Sequence, residues 1–407
     1  MDYSIFTLSN GLKVVHQYCK DTAMVLVNVL YFVGARNESP ERTGMAHLFE
    51  HLMFGGSINI PDFDGELQRA GGLNNAWTSN DFTNFYDVLP AKNIEVALRL
   101  ESDRMLSLSF TPKSLEVQRN VVIEEFKETC LNRPYGDLMH NLRGMIYKTH
   151  PYSYPTIGKE ISHIQNVTMD EVKDFFYSHY SPSNALLTIA GNISLEDTKR
   201  LVEKWFGDIP AREIVRKPIP PEPIQTEPRR KTVTANVPLN LIAIAYPMGG
   251  YKSQDYIICD LLTDILSSGR ASRFCRTLEK EDCFSNADAS IIGSEDPGFL
   301  MIIATLEDDN FEKAERLINE QLQRLKDGDI TERELQRALN RYDSEQTFAS
   351  MSFIEKANKL TFAVYHDEDP DEIAARYHAI TLKDLQEGAK RILDPNKANT
   401  LIYKPEI

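Results

Sequence analysis

Along the first half of the chain the apolar positions alternate between a period of two and a period near 3.6. "FTLSNGLKVVHQ" places two short β-rich runs around Asn10-Gly11, a dipeptide suited to a hairpin turn. "MVLVNVLYFVG", Met24 to Gly34, predicts a long apolar strand. "NESPERTG" is polar and turn-like. "MAHLFEHLMF" then takes up helical spacing, with Met45, Leu48, Leu52 and Met53 apolar. "IEVALRLESDRML" (Ile94–Leu106) and "SLEVQRNVVIEEFKET" (Ser114–Thr129) predict amphipathic helices, and Thr111-Pro112 is a start signal for the second. "VTMDEVKDFFYSHY" predicts a helix and "NALLTIAG" a buried strand. "SLEDTKRLVEKWFGDIP" predicts a helix capped by Ser194. Its first-turn Glu196 and Asp197 suit the helix dipole.

The pattern then breaks. Six prolines (Pro210, Pro218, Pro220, Pro221, Pro223, Pro228) fall within nineteen residues, which predicts an extended, semi-rigid linker. After it the order of elements starts again. "LNLIAIAYPM" and "GFLMIIATL" predict strands, while "QDYIICDLLTDILSSG" and "NFEKAERLINEQLQRLKDG" predict helices. A long, largely helical region runs from Thr331 to His366. The repeated strand–helix order implies an internal duplication. It divides the chain into a first domain, residues 1–210, a linker, 211–230, and a second domain, 231–407. Superposing strand on strand and helix on helix sets Asp260, Thr263 and Asp264 where the first half has His47, Glu50 and His51. The second copy therefore lacks both histidines.

Composition narrows the function classes. At 407 residues the chain exceeds one ordinary domain, and a hydrophobic share of 42% with 26% charged fits a globular protein. A net charge of −15 argues against nucleic-acid binding, which needs basic faces. No run approaches the roughly 20 apolar residues that span a bilayer. The opening "MDYSIFTLSNGLKVV" lacks the basic and apolar segments of a signal peptide. A cytoplasmic location is the simplest expectation, and a periplasmic chain trimmed of its leader would read the same way. The five cysteines are scattered and odd in number, so free thiols are expected.

The chemistry concentrates in "GMAHLFEHLMFGG". On a helix, His47 and His51 are four residues apart and project from one face. Two neutral imidazoles at that spacing can bind one Zn²⁺. Glu50 lies on nearly the same side and can reach a water beside the metal without being a ligand, as a general base requires. The ordinary alternative is a chance cluster of core-edge histidines, so the context has to decide.

His-x-x-Glu-His is the zincin order reversed. With it the chain resembles the inverzincin metallopeptidases, the family of pitrilysin, insulin-degrading enzyme and the mitochondrial processing peptidase. That resemblance implies a third ligand, a glutamate about 75 residues downstream on a second helix. Glu125, in "RNVVIEEF", lies 74 residues after His51. Glu124 is adjacent, but neighbouring helical residues point about 100° apart, so only one of the two ligates easily. Glu125 is the better match. "LNNAWTSNDFTNFYDVLP" also resembles the family, in which an exposed strand beside the metal pairs with substrate backbone. On this chain Asn75, Ala76 and Trp77 would fill that role. The ordinary reading of the stretch is an aromatic-rich hairpin.

The resemblance covers about residues 3–405, and its motifs are specific in the first half and diffuse in the second. It implies an α+β fold of two duplicated α/β domains, each a mostly antiparallel sheet packed with helices, forming half of a clam-shell chamber. It implies one zinc per chain, peptide substrates, and pairing with a paralogous subunit or a second copy. One departure stands out. Relatives often carry an Arg and a Tyr in the metal-free half that clamp the scissile carbonyl. Here that region reads "RTLEKEDCFSN", with Glu279 at the Arg position and Ser285 near the Tyr position. A partner would supply the clamp, or the protein does without one. An active zinc endopeptidase, with Glu50 as base, competes with a non-catalytic assembly subunit of the same fold and with a metal-storing or metal-sensing module. The retained ligands and base favour the peptidase.

Overall fold

The computed structural model describes residues 2–214 and 216–406. It divides into two compact units. The first takes the chain up to Glu128, then Tyr154–Pro220 and Phe348–Asp371. The second takes Thr129–Ser153, Pro221–Thr347 and the chain from Glu372. The division expected at residues 210 and 231 thus leaves out two exchanges, in which each half of the chain lends a helical segment to the other unit.

Six strands form the sheet of the first unit: β1 (Ser4–Thr7), β2 (Lys13–Tyr18), β3 (Met24–Tyr31), β4 (Leu73–Thr78), β5 (Thr83–Pro90) and β6 (Ala185–Gly191), in the order β1-β2-β6-β3-β5-β4. Only β2 and β6 run parallel. β3 is buried along almost its whole length because both sheet faces are covered. Val25, Val27, Val29 and Tyr31 join the main core under three helices: α1 (Met45–Met53), α2 (Ile94–Leu106) and α3 (Pro112–Phe126). Leu26 and Leu30 face the other way, into smaller clusters completed by Ala357, Leu360 and Val364 of the helix Phe353–Tyr365. Double coverage removes the alternation of polar and apolar residues and explains the continuous apolar run.

The second unit repeats this plan with β7 (Arg229–Ala235), β8 (Asn240–Pro247), β9 (Phe284–Ile292), β10 (Phe299–Leu306) and β11 (Asn399–Pro405), in the order β7-β11-β8-β10-β9. β7 and β11 run parallel, while β8 is antiparallel to both its neighbours. Matching β7, β11, β8, β10 and β9 to β2, β6, β3, β5 and β4 reproduces both order and sense, so the duplication extends to the sheet itself. Helices α4 (Gln254–Ser267) and α5 (Glu332–Met351) correspond to α1 and α3. The helix Leu138–Ile146 covers the second face, packing Leu138, Leu142 and Met145 against Leu241, Ala243 and Leu401.

Two elements depart from the sequence expectation. The long helical region breaks at Ser352, whose hydroxyl caps the next helix through the Glu355 amide. The proline-rich stretch carries no helix or strand among its described residues up to β7, but it is held down: the Glu222 carboxylate takes the amides of Lys148, Thr149 and His150 at 2.7–3.0 Å. Among the described residues no helix is long and apolar enough to cross a membrane.

Candidate metal centre

Helix α1 starts at Gly44, at φ +86°, a backbone conformation that glycine adopts without strain. A glycine cannot cap through a side chain, so the first amides of the helix need another acceptor. Glu38 supplies it. One carboxylate oxygen takes the Gly44 amide and the other the Ala46 amide, each at 2.8 Å. Burial pushes the Glu38 carboxyl up to about 8, against the downward pull of the amides. The run that reads as a solvated turn therefore hides the acid that seats the helix.

From α1, Leu48, Phe49, Leu52 and Met53 enter the core. His47 and His51 emerge on the opposite side with ring centroids 4.9 Å apart. Helix α3 lies alongside, capped by the Thr111 hydroxyl on the Ser114 amide. Arg119 anchors it by donating to the carbonyls of Gln165 and Val167. This sets Glu125 beside the imidazoles: its Oε2 is 3.4 Å from His51 Nε2 and 3.7 Å from His47 Nε2. Glu124 points away and pairs with Lys127 at 2.7 Å. One residue after Glu125 the α-helix ends at Phe126 and the chain enters a π-helical turn, Lys127–Leu131.

These three side chains are the one group of His, Cys, Asp or Glu among the described residues with metal-ligand spacing, their donor atoms all within 4.8 Å of one another. The separations are long for hydrogen bonds, which cluster near 2.9–3.0 Å. They approach the edge of a tetrahedron about 2.05 Å in radius, roughly 3.4 Å, which is what zinc with nitrogen and oxygen ligands has. Burial holds His47 below its usual value, which favours the neutral imidazole that binds metal. Its Nδ1 is buried and has no hydrogen-bond partner among the described residues. Glu125 is held below the usual carboxylate range chiefly by the neighbouring His51 imidazole, against partial burial. Two imidazoles and an ionised carboxylate suit a zinc ion.

Glu50 stands outside this trio. Its Oε2 accepts the Thr78 hydroxyl at 2.6 Å. Thr78 ends β4, an edge strand of the sheet. Asn74 and Thr78 point to the α1 side, where Asn74 reaches Asp64 at 2.8 Å. Trp77 points to the other side and packs on Tyr86 and Phe362. Ala76 N–H is taken by Asn75 Oδ1 at 2.8 Å, not by β5. Asn75, Ala76 and Trp77 therefore sit on an edge with backbone capacity to spare. Sequence reasoning passed over Glu38 and Thr78. Glycine at the helix start was the available signal for the first, and the Thr of Asn-Ala-x-Thr-Ser for the second.

The chain is similar to known proteases along most of its length. Residues 13–160 match the family model described as insulinase (peptidase family M16), and residues 166–342 match the one described as the peptidase M16 inactive domain. The zinc protease PqqE of Helicobacter pylori is 32% identical over 340 residues, which cover 81% of this chain and 76% of that protein. The beta subunit of the mitochondrial-processing peptidase of Saccharomyces cerevisiae is 24% identical over 402 residues, covering 93% and 86%. A crystal structure of a protease from Helicobacter pylori superposes with a TM-score of 0.92 at 28% identity, covering 99% of this chain and all of that one. The chain belongs to the M16 peptidase family.

Proposed function

We propose that this protein is a zinc-dependent endopeptidase that hydrolyses peptides or unfolded segments. The observation that carries the reading is the convergence of His47, His51 and Glu125, with donor atoms within 4.8 Å of one another, and a carboxylate beside them that is not part of the set. A zinc ion held by these three would polarise the scissile carbonyl and acidify a water. Glu50 takes the proton of the attacking water and returns it to the leaving amine. The β4 edge, at Asn75 to Trp77, holds the peptide extended by adding it as a strand.

Pairing completes the reading. Leu278–Lys280 forms a 3₁₀ turn carrying Glu279, and the Arg/Tyr clamp of relatives has no counterpart there. A paralogous subunit would bring that clamp and close the chamber; the relative named as a beta subunit supports such pairing. The test is zinc analysis with cleavage of a mixed peptide library, with and without a chelator, on the chain alone and with a co-expressed paralogue. One zinc per chain and chelator-sensitive cleavage support the proposal. Bound zinc without cleavage in either format replaces it with the assembly-subunit reading.

A further inference from the structure

Resting on the peptidase reading, we infer that Thr78 is a positioning residue for Glu50: its hydroxyl fixes the carboxylate in the one orientation that faces the His47–His51–Glu125 cluster. Among the described residues the Thr78 hydroxyl is the side-chain donor to Glu50, and at 2.6 Å it has the length of a charge-assisted O–H···O⁻ bond. A glutamate has three rotatable bonds and otherwise populates several rotamers. With Oε2 tied to Thr78, Oε1 is left for a water.

The donor itself is held rigidly. Thr78 is β-branched, which restricts χ1, and pairs with Thr83 across the β4–β5 ladder. The turn that follows is pinned by Ser79, whose hydroxyl takes the amides of Asp81 and Phe82. That turn is also bound to the loop leading into α1. Ala35 N donates to Ser79 O at 3.2 Å, Arg36 N donates to Asn80 O at 2.9 Å, and Arg36 pairs with Asp81 at 3.2 Å. A Cβ on Gly34 would fall 2.5 Å from the Asn80 backbone, so the two segments are in contact. The same loop continues to Glu38, which caps α1. Helix, loop, turn and strand end thus form a closed circuit, and the Thr78–Glu50 bond closes it. The strand proposed to carry substrate also carries the group that aims the base.

The experiment compares Thr78→Val, which keeps shape and loses the hydroxyl, with Thr78→Ser, which keeps the hydroxyl. Zinc content and melting temperature are expected to match the unmodified protein in both. Thr78→Val is expected to lower kcat by about 10- to 100-fold with KM within about two-fold, and Thr78→Ser to recover most of the loss. In the metal-free protein, crystal structures are expected to show the Glu50 carboxylate in one position with Thr or Ser and spread over several with Val. An ordered, unmoved Glu50 in metal-free Thr78→Val overturns the assignment whatever the activity. So does full kcat in Thr78→Val when Glu50→Gln is inactive, an outcome that leaves the peptidase reading intact. If the unmodified chain cleaves nothing, alone or paired, the peptidase reading fails, and the metal-free structures still decide the role of Thr78.

Discussion

The two units place a pair of helices in the same position and resolve their polar groups in opposite ways. In the first, α1 and α3 present His47, His51 and Glu125 to one another with their donor atoms within 4.8 Å. In the second, α4 carries Asp260 and Asp264 at the matching positions. Glu345 of α5 lies fourteen residues after Thr331, as Glu125 lies fourteen after Thr111. Arg341 fills the gap there: its Nε is 3.3 Å from Asp264 and 2.9 Å from Glu345. Tyr377 donates to Asp260 at 2.7 Å. One unit pairs its acids with side chains of its own, and the other gathers donors that suit an ion. The duplicated scaffold therefore does not dictate the chemistry; replacing two histidines with aspartates and supplying one arginine is enough to change it.

The sharpest way to test the contrast is to disable the first site one role at a time. Glu50→Gln is expected to keep zinc at the normal ratio and to lower kcat/KM by at least about 10³-fold, measured with a quenched peptide alongside metal analysis. Unchanged turnover would remove the base assignment. His51→Ala is expected to release the metal, because two protein ligands hold zinc poorly. The check is thermal. Added zinc at about 100 times its dissociation constant should stabilise the unmodified protein by about 2.7 kcal/mol and this variant by almost nothing. Retained zinc in His51→Ala would count against the trio.

The helix starts differ as well. α1 begins on a glycine and borrows Glu38, whereas α4 is capped by its own Ser253 through the Tyr256 amide. Glu38→Ala strands two buried amides and should cost about 2–4 kcal/mol in denaturant unfolding, against about 1 kcal/mol for Ser253→Ala. Equal losses would mean that Glu38 does not seat the helix.

Much of the first site was legible because it depends on short-range geometry. Residues four apart on a helix share a face whatever the tertiary fold, so His47 and His51 could be paired from spacing alone. Glu125 was legible through spacing and family resemblance, and the structure turns Glu124 away onto Lys127. What stayed hidden depends on tertiary partners. Glu38 sits in a polar run whose burial no local pattern reveals, and the Thr78 hydroxyl meets Glu50 only when β4 is laid beside α1. The helices Leu138–Ile146 and Phe353–Tyr365 have apolar faces, but an apolar face does not state which sheet it will cover. The duplication was legible as a repeated order of elements, whereas the strand order required the sheets themselves.

Acid should separate the units next. Burial disfavours ionisation of Glu334, but Arg273 and the Thr331 hydroxyl and amide outweigh it and hold the carboxyl down to about 2. An acid depressed in the folded state stabilises above its unfolded value, near 4.5, and loses that contribution as pH falls from there toward 2. Glu334 is partly solvated, so screening reduces the effect to about 1–2 kcal/mol. Comparing unfolding of the unmodified protein and Glu334→Gln between pH 6 and 3 should show the two curves converging.

The smallest effect probes the contrast itself. Arg341 and Glu345 are each about half exposed, so their pairing should be worth no more than about 1 kcal/mol. Arg341→Met removes the cation beside Asp264, whose carboxyl burial already pushes above the usual carboxylate range. Both imidazoles that hold an ion in the first unit are missing here, and two carboxylates alone suit zinc poorly. The variant should therefore bind no additional zinc and keep its cleavage rate. A second equivalent of zinc in Arg341→Met would mean that the arginine occupies a metal site of the second unit, and that the two halves differ in occupant and not in kind.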